Sequence, residues 1–253
     1  MSDIDQTSAI LIFGASGGIG SSLARRLRKE GNRLALVARD PARLNALAEE
    51  LGAFAVTADT RDSAAVANAF TKSRDELGPL NGVAHCVGSL LLKPAHIITD
   101  EAWRDLIQTN LTSSFFVLRE AVKHMRNSGG SLVFTSSAAA LRGMINHEAI
   151  AAAKAGIIGM ALAAAASYAR SGIRVNCVAP GLTDTPLTTS ITQNEAAMKA
   201  STALHPLGRI GTPNDVASAI AWLLNPEQSW VTGQVLGVDG GLANVQPRLT
   251  LAS

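Results

Sequence analysis

The stretch AILIFGASGGIG, residues 9–20, decides the fold. Its first half, AILIF (9–13), is a short unbroken apolar run of the kind that fills a strand buried on both faces. Its second half, GASGGIG (14–20), interrupts that run with four glycines and passes into a segment of helical period at 18–30. Strand, glycine turn and helix in that order make the first unit of an α/β domain.

The same rhythm continues along the chain. Further strand-like runs are RLALVA (33–38), AFAVTA (53–58), GVAHCV (82–87), SLVFTS (131–136), IRVNCVA (173–179) and QVLGVD (234–239). Helical stretches at 41–51, 63–77, 100–127, 148–170 and 213–224 alternate with them. Such alternation predicts a doubly wound parallel sheet with helices on both faces and ligands at the carboxyl ends of its strands. No linker, repeat or low-complexity segment divides the 253 residues, so a single domain over 1–253 is expected. The helix at 148–170 is rich in Ala and Gly, which suits close packing either on the sheet or against another subunit.

Composition narrows the function. Apolar residues make up 47% and charged residues 17%, so the chain has the means to bury a core. A formal charge of +2 gives no broad basic surface for nucleic acid. The apolar runs are short, AILIF stopping at Gly14, so no membrane span is expected. The polar start MSDIDQTS lacks the form of a signal peptide. Cys86 and Cys177 each sit in an apolar stretch and read as buried free thiols of a cytoplasmic protein.

Glycines after a first strand let backbone N–H groups approach a pyrophosphate, whose charge then meets a helix N-terminus. Together with that turn, Gly14-x3-Gly18-x-Gly20, an ordered set of motifs resembles the short-chain dehydrogenase/reductase family. Asp59 follows the third strand, Asn110 lies in the helix at 100–127, and Ser137 follows the fifth strand. Lys154 comes 17 residues after Ser137, the family's spacing. PGLTDTP (180–186), GRIGTPNDVASAIAWLL and TGQVLGVDGG complete a resemblance over roughly residues 9 to 242. It implies a Rossmann-like fold, a nicotinamide cofactor and a homo-oligomer, tetramer or dimer. The implied cofactor residues are Gly14, Ser16, Gly18, Ile19, Gly20, Asp59, Gly88, Lys154, Pro180, Gly181 and Thr185.

Which nucleotide is expected turns on the residues after the second strand. Relatives that use NAD carry an acid there; this chain has Ala38, then Arg39, with Arg43 a turn further on. An acid repels a 2′-phosphate, whereas a guanidinium bonds it bidentately, so NADP(H) is favoured over NAD(H). Asp40 stands beside Arg39 as a candidate partner for an arginine.

The family's proton donor is a tyrosine four residues before the lysine, and here that place holds Ile150. Tyr168 is the single tyrosine, and it lies about 21 Å beyond Lys154 along a helix of ~1.5 Å rise per residue. Asn110, Ser137 and Lys154 remain as the catalytic set that the resemblance implies. His147, seven residues before Lys154, is the side-chain donor nominated in the tyrosine's stead, with Asn146 read as the helix N-cap. A neutral imidazole polarising a carbonyl, or a water held by Ser137 and Lys154, are the routes considered.

Three readings follow. One is an NADP(H)-dependent reductase of a small-molecule carbonyl compound or activated alkene with an atypical donor. A second is a catalytically impaired dinucleotide-binding protein, acting as sensor or partner subunit. The third, a lyase or isomerase, has no positive feature. The segment 187–212 is expected to cover the substrate. His85-Cys86-Val87-Gly88 replaces the family's Asn-Asn-Ala-Gly; adjacent strand residues face opposite ways, so His85 and Cys86 make no metal site.

Overall fold

Each strand-like run of the sequence forms a strand, and the seven lie side by side in one parallel sheet. The computed structural model describes residues 7–246, so both ends of the expected domain and most of the polar N-terminal stretch fall outside the described residues. The strands are β1 (Ala9–Phe13), β2 (Arg33–Ala38), β3 (Phe54–Thr57) and β4 (Gly82–His85). They continue as β5 (Gly130–Thr135), β6 (Ile173–Pro180) and β7 (Val235–Val238). Their spatial order is β3-β2-β1-β4-β5-β6-β7. The winding therefore reverses between β1 and β4, and a crevice opens where those two strands end.

The helices are α1 (Gly18–Lys29), α2 (Pro41–Leu51), α3 (Ser63–Leu77), α4 (Asp100–Ile107) and α5 (Ser113–Met125). After them come α6 (Glu148–Tyr168), α7 (Thr189–Thr192), α8 (Glu195–Leu204) and α9 (Pro213–Leu224). Alternation along β1 divides the core in two. Ile10 and Ile12 pack with residues of α1, α2 and α9, whereas Leu11 and Phe13 pack with residues of α3, α5 and α6. Every residue of β1 is buried, as a strand covered on both faces requires.

Two differences from the sequence reading bear on function. The run 82–87 leaves the sheet after His85, so Cys86, Val87 and Gly88 are freed to border the crevice. The expected helix 100–127 is α4 and α5 joined by a wider, π-type turn at Gln108–Thr112 that contains Asn110. Such a turn inserts one residue into the helical ladder, a feature common at functional sites.

Helix α6 with the short turn after it, Glu148–Ser171, is long and apolar enough by composition to cross a membrane, which the short apolar runs of the sequence did not suggest. Its buried residues, Ala149, Ala153, Ile157 and Ala161 among them, pack on the domain interior. Its apolarity is accordingly that of a core helix. Gly156 faces Leu111 of the π-type turn, where a Cβ would come within 2.8 Å. Ala152, Ala155, Gly159 and Ala163, on the other side, stay exposed.

Candidate active site

The crevice begins at the glycine turn. Gly14 takes a left-handed backbone (φ +77°), and a Cβ there would meet the Cys86 carbonyl carbon at 2.8 Å. The N–H groups of Gly14 and Ala15 both donate to the Val37 carbonyl, which bends the chain sharply out of β1. A Cβ on Gly20 would strike the Gly14 carbonyl oxygen. A Cβ on Gly18 would lie 2.8 Å from Thr185 Cγ2, so the turn and the 180–186 loop meet here.

Two cavities flank that meeting point. One, of about 400 Å³, is bordered by Ile19, Gly88, Ser137, His147, Ile150, Lys154, and by Pro180, Gly181 and Thr185 of the loop after β6. The other, of about 900 Å³, is bordered by Ser16, Gly18, Arg25, Arg26, Lys29 and Arg43. Nearly all the residues singled out in the sequence are thus brought to one end of the sheet. Arg39 and Asp59 border neither cavity.

The charged groups are arranged differently from the sequence expectation. Arg39 is exposed, and it is Arg43 that reaches the glycine turn, donating to the Ser16 carbonyl at 2.7 Å. Among the described residues Asp40 pairs with no arginine; its carboxylate accepts from the N–H groups of Ala42 and Arg43 and caps α2. Asp59 is gripped by Arg61 at 2.7 Å, and this, with help from Arg39, holds its carboxyl below the usual carboxylate range.

Lys154 is buried, 7% exposed, on the inner face of α6. Its Nζ donates to the Thr135 carbonyl at 3.0 Å, and the Lys154 carbonyl accepts from Ser136 Oγ at 2.9 Å. Removal from water pushes the ammonium down to about 8. Gly88 is the spacer: a Cβ there would lie 3.1 Å from Asn110 Oδ1 and 3.2 Å from Lys154 Nζ. Asn110 is fully buried and borders neither cavity. Its amide accepts from the Ser89 N–H and donates to Ser89 Oγ and the Leu106 carbonyl, tying the loop after β4 to the π-type turn.

Ser137 Oγ accepts from the Ala139 N–H at 3.1 Å, capping a short turn, and its own hydrogen stays free to donate into the cavity. Ile150, one helical turn before Lys154, is 3% exposed and packs with Leu106, Leu90, Leu92 and Ile98. Tyr168 ends α6 and is absent from the residues bordering the cavity.

His147 corrects one expectation. It is the N-cap itself, not a first-turn residue, because Asn146 adopts a left-handed backbone (φ 63°) and lies outside the helix. His147 Nδ1 lies 2.7 Å from the Ile145 carbonyl, a geometry that puts a hydrogen on Nδ1. A neutral ring then has only a lone pair at Nε2. It polarises no carbonyl; only the imidazolium has a second N–H to give.

Two histidines not assigned a role in the sequence are built into the site. His205, buried, donates from Nδ1 to the Ser201 carbonyl at 2.6 Å and accepts at Nε2 from the Leu182 N–H at 3.3 Å. It joins α8 to the loop after β6. His85 sits between Phe13 and Phe134 with Ser113 and Ser114 hydroxyls 3.4 Å from its nitrogens, and burial brings it down to about 3, a neutral ring. Cys86 points to the opposite face, half-buried beside the cavity rather than in the core, while Cys177 is buried. No sequence spacing marks His205, because its partners are backbone groups, a carbonyl of α8 four residues back and a loop N–H 23 residues back.

Residues 14–243 match the family model described as Enoyl-(Acyl carrier protein) reductase. The chain is 32% identical over 235 residues to the 3-oxoacyl-[acyl-carrier-protein] reductase MabA of Mycobacterium bovis, covering 92% of each. It is 36% identical to the cis-4-hydroxycyclohexanecarboxylate dehydrogenase of Sinomonas cyclohexanicum, covering 93% of this chain and 96% of that one. A solved actinorhodin polyketide ketoreductase variant with NADPH superposes with a TM-score of 0.89 at 31% identity, over 94% of this chain and 98% of that one. The chain belongs to the short-chain dehydrogenase/reductase family of oxidoreductases.

Proposed function

We propose that the chain is an NADP(H)-dependent reductase of a small-molecule carbonyl compound or activated alkene, working without the tyrosine for which Ile150 stands. The observation that carries this reading is the meeting of a free Ser137 hydroxyl, the Lys154 ammonium and the glycine turn at one cavity. The residues present fit a dinucleotide. Gly14, Gly18 and Gly88 let Cys86, Thr185 and Lys154 close in where a Cβ would collide, which draws the glycine turn, the 180–186 loop and Lys154 around one crevice, and the start of α1 offers backbone N–H groups to a pyrophosphate. Arg43, with Arg26 and Lys29, lines a recess beside Ser16 that suits a 2′-phosphate; Glu30 borders it too and Arg25 is paired with Glu50, while the carboxylate of Asp40 is spent as a cap. NAD(H) lacks the group this recess would hold. The actinorhodin relative solved with NADPH supports the same choice.

When bound, the cofactor supplies hydride to the substrate carbon. The chain's own groups do the rest. Ser137 donates its O–H to the substrate oxygen as negative charge grows there. Lys154 holds ribose hydroxyls and, as an ammonium, favours charge nearby. Asn110 acts one step removed, fixing Ser89 and the wall beside Gly88. The proton comes from a water between Ser137 and Lys154 or from His147 as an imidazolium. Losing a positioned donor costs about 10²–10⁴ in rate, so turnover is slow beside a tyrosine-bearing relative. Residues 187–212, with α7 and α8, act as the substrate lid. The exposed small-residue face of α6 supports assembly as a homo-oligomer, dimer or tetramer.

A second reading, an impaired dinucleotide binder acting as sensor or partner subunit, is favoured by the apolar packing of Ile150, which leaves no polar handle in the tyrosine's place. One experiment separates the two. NADPH oxidation is followed for wild type, Ile150→Tyr and Lys154→Ala across ketones, β-ketoacyl thioesters and enones. Turnover by wild type that collapses in Lys154→Ala supports the reductase; turnover by Ile150→Tyr alone supports the binder. Undiminished turnover in Lys154→Ala refutes the proposed mechanism.

A further inference from the structure

We infer that the ligand of the 400 Å³ cavity is uncharged and largely hydrocarbon apart from the group that reacts. The inference rests on the cavity being the substrate site of the reductase proposed above. Its walls are largely apolar, with Leu90, Leu92, Met144, Leu182, Ile191 and Leu242, and of the hydroxyls that border it besides Ser137, those of Ser136, Thr183 and Thr188 donate to backbone carbonyls. Among the described residues no aspartate, glutamate or arginine borders it, so a cationic ligand finds no counterion. An anionic ligand fares no better. Lys154 is the one lysine there, and its Nζ is held to the Thr135 carbonyl at the floor, beside the reacting position rather than along the walls.

The two histidines at the wall offer no anchor either. His205 has both nitrogens engaged, one donating to Ser201 and the other accepting from Leu182. His147 as the neutral ring spends its Nδ1 hydrogen on the Ile145 carbonyl and turns only a lone pair outward, so it holds an anion only when it carries the imidazolium proton invoked above. Arg142 donates to the Leu242 carbonyl, behind the wall, and does not border the cavity. A carboxylate or phosphate carried into this space would be stripped of water with nothing to replace it, a cost that falls on binding itself. A hydrocarbon chain of similar size instead gains from the apolar wall residues.

The test is calorimetric titration of the protein saturated with NADP⁺, in which no hydride is available and binding is read alone. Two ligands of equal length are compared, 2-decanone and 9-oxodecanoic acid. The expected result is at least tenfold tighter binding of the ketone. Leu187→Arg, which places a guanidinium at the half-exposed mouth of the cavity, is expected to narrow that gap by raising the affinity of the acid. Equal or tighter binding of the acid by wild type, or no binding of the ketone, overturns the inference. A prior NADP⁺ titration on the same sample keeps the two levels apart. Failure at that step sinks the reductase reading and this inference with it, whereas failure only with the ketone and acid pair sinks the inference alone.

Discussion

Replacing Lys154 by methionine gives the most direct test of how the site is built, because it removes the buried charge and nearly keeps the volume. In the folded chain burial lowers the ammonium from the usual 10.5 to about 8. The unfolded chain therefore binds the proton more tightly, and between pH 8 and 10.5 it holds more protons than the folded one. Stability contributed by this group must rise with pH through that window. At pH 7 the buried ammonium costs the fold about 3 kcal/mol, from roughly 1.4 kcal/mol per tenfold difference in proton affinity. By pH 10 only about 1 kcal/mol of that cost remains, so wild type gains about 2 kcal/mol between the two. The methionine variant lacks the gain. It also leaves the Thr135 carbonyl without its donor, a pH-independent loss of about 1–3 kcal/mol. Urea unfolding of both proteins without cofactor at pH 7, 8.5 and 10 isolates the effect, since every other titrating group is common to both. The expected result is a stability difference that moves in favour of wild type by about 2 kcal/mol from pH 7 to 10. A difference that stays constant, or moves the other way, refutes the burial argument.

Two further outcomes follow from the contacts around the crevice. Arg43→Glu removes the guanidinium from Ser16 and puts a carboxylate in the basic recess, so NADPH affinity falls by at least tenfold while NADH affinity changes little; fluorescence titration of both cofactors reads the ratio, and an unchanged ratio refutes the 2′-phosphate assignment. His205→Leu strands the Ser201 carbonyl and the Leu182 N–H, costing about 1–3 kcal/mol of stability and loosening α8 against the loop after β6; KM is expected to rise more than kcat falls, and a pure kcat loss counts against a role in holding the lid.

The fold was legible in the sequence because its signals are local and redundant. The run AILIF is buried on both faces, and Gly14 and Gly20 after it are demanded by backbone approaches under 3 Å that no side chain survives. The site was legible in outline for the same reason: Ser137 and Gly88 follow strand ends, Lys154 lies near the start of α6, and the strand ends converge at the switch between β1 and β4. What did not show were contacts set by side-chain reach across space. Arg39 and Arg43 are equivalent in sequence, and only the turn into α2 decides that Arg43 meets Ser16. Asn146 has the composition of an N-cap, yet its left-handed backbone passes that place to His147. The π-type turn at Asn110 has no sequence period of its own, since it adds a single residue to an otherwise regular helix.

Binding and chemistry are therefore distributed very differently over this chain. Cofactor binding, on the proposed reading, draws on backbone N–H groups, on glycines held against Cys86 and Thr185, and on a strand order that the whole sheet enforces. Removing one contributor leaves the others in register. Proton delivery, where the family's tyrosine supplies it, depends on one side chain, and in this chain Ile150 holds that position and serves packing. Ile150 meets that packing need with Leu90, Leu92 and Leu106, so the substitution costs the fold little and leaves the Lys154 and Ser137 geometry in place. The same independence works in reverse. If the site is intact, restoring the phenol at position 150 needs no repair elsewhere, and the rate of that single variant reports whether this chain dropped a donor or replaced it.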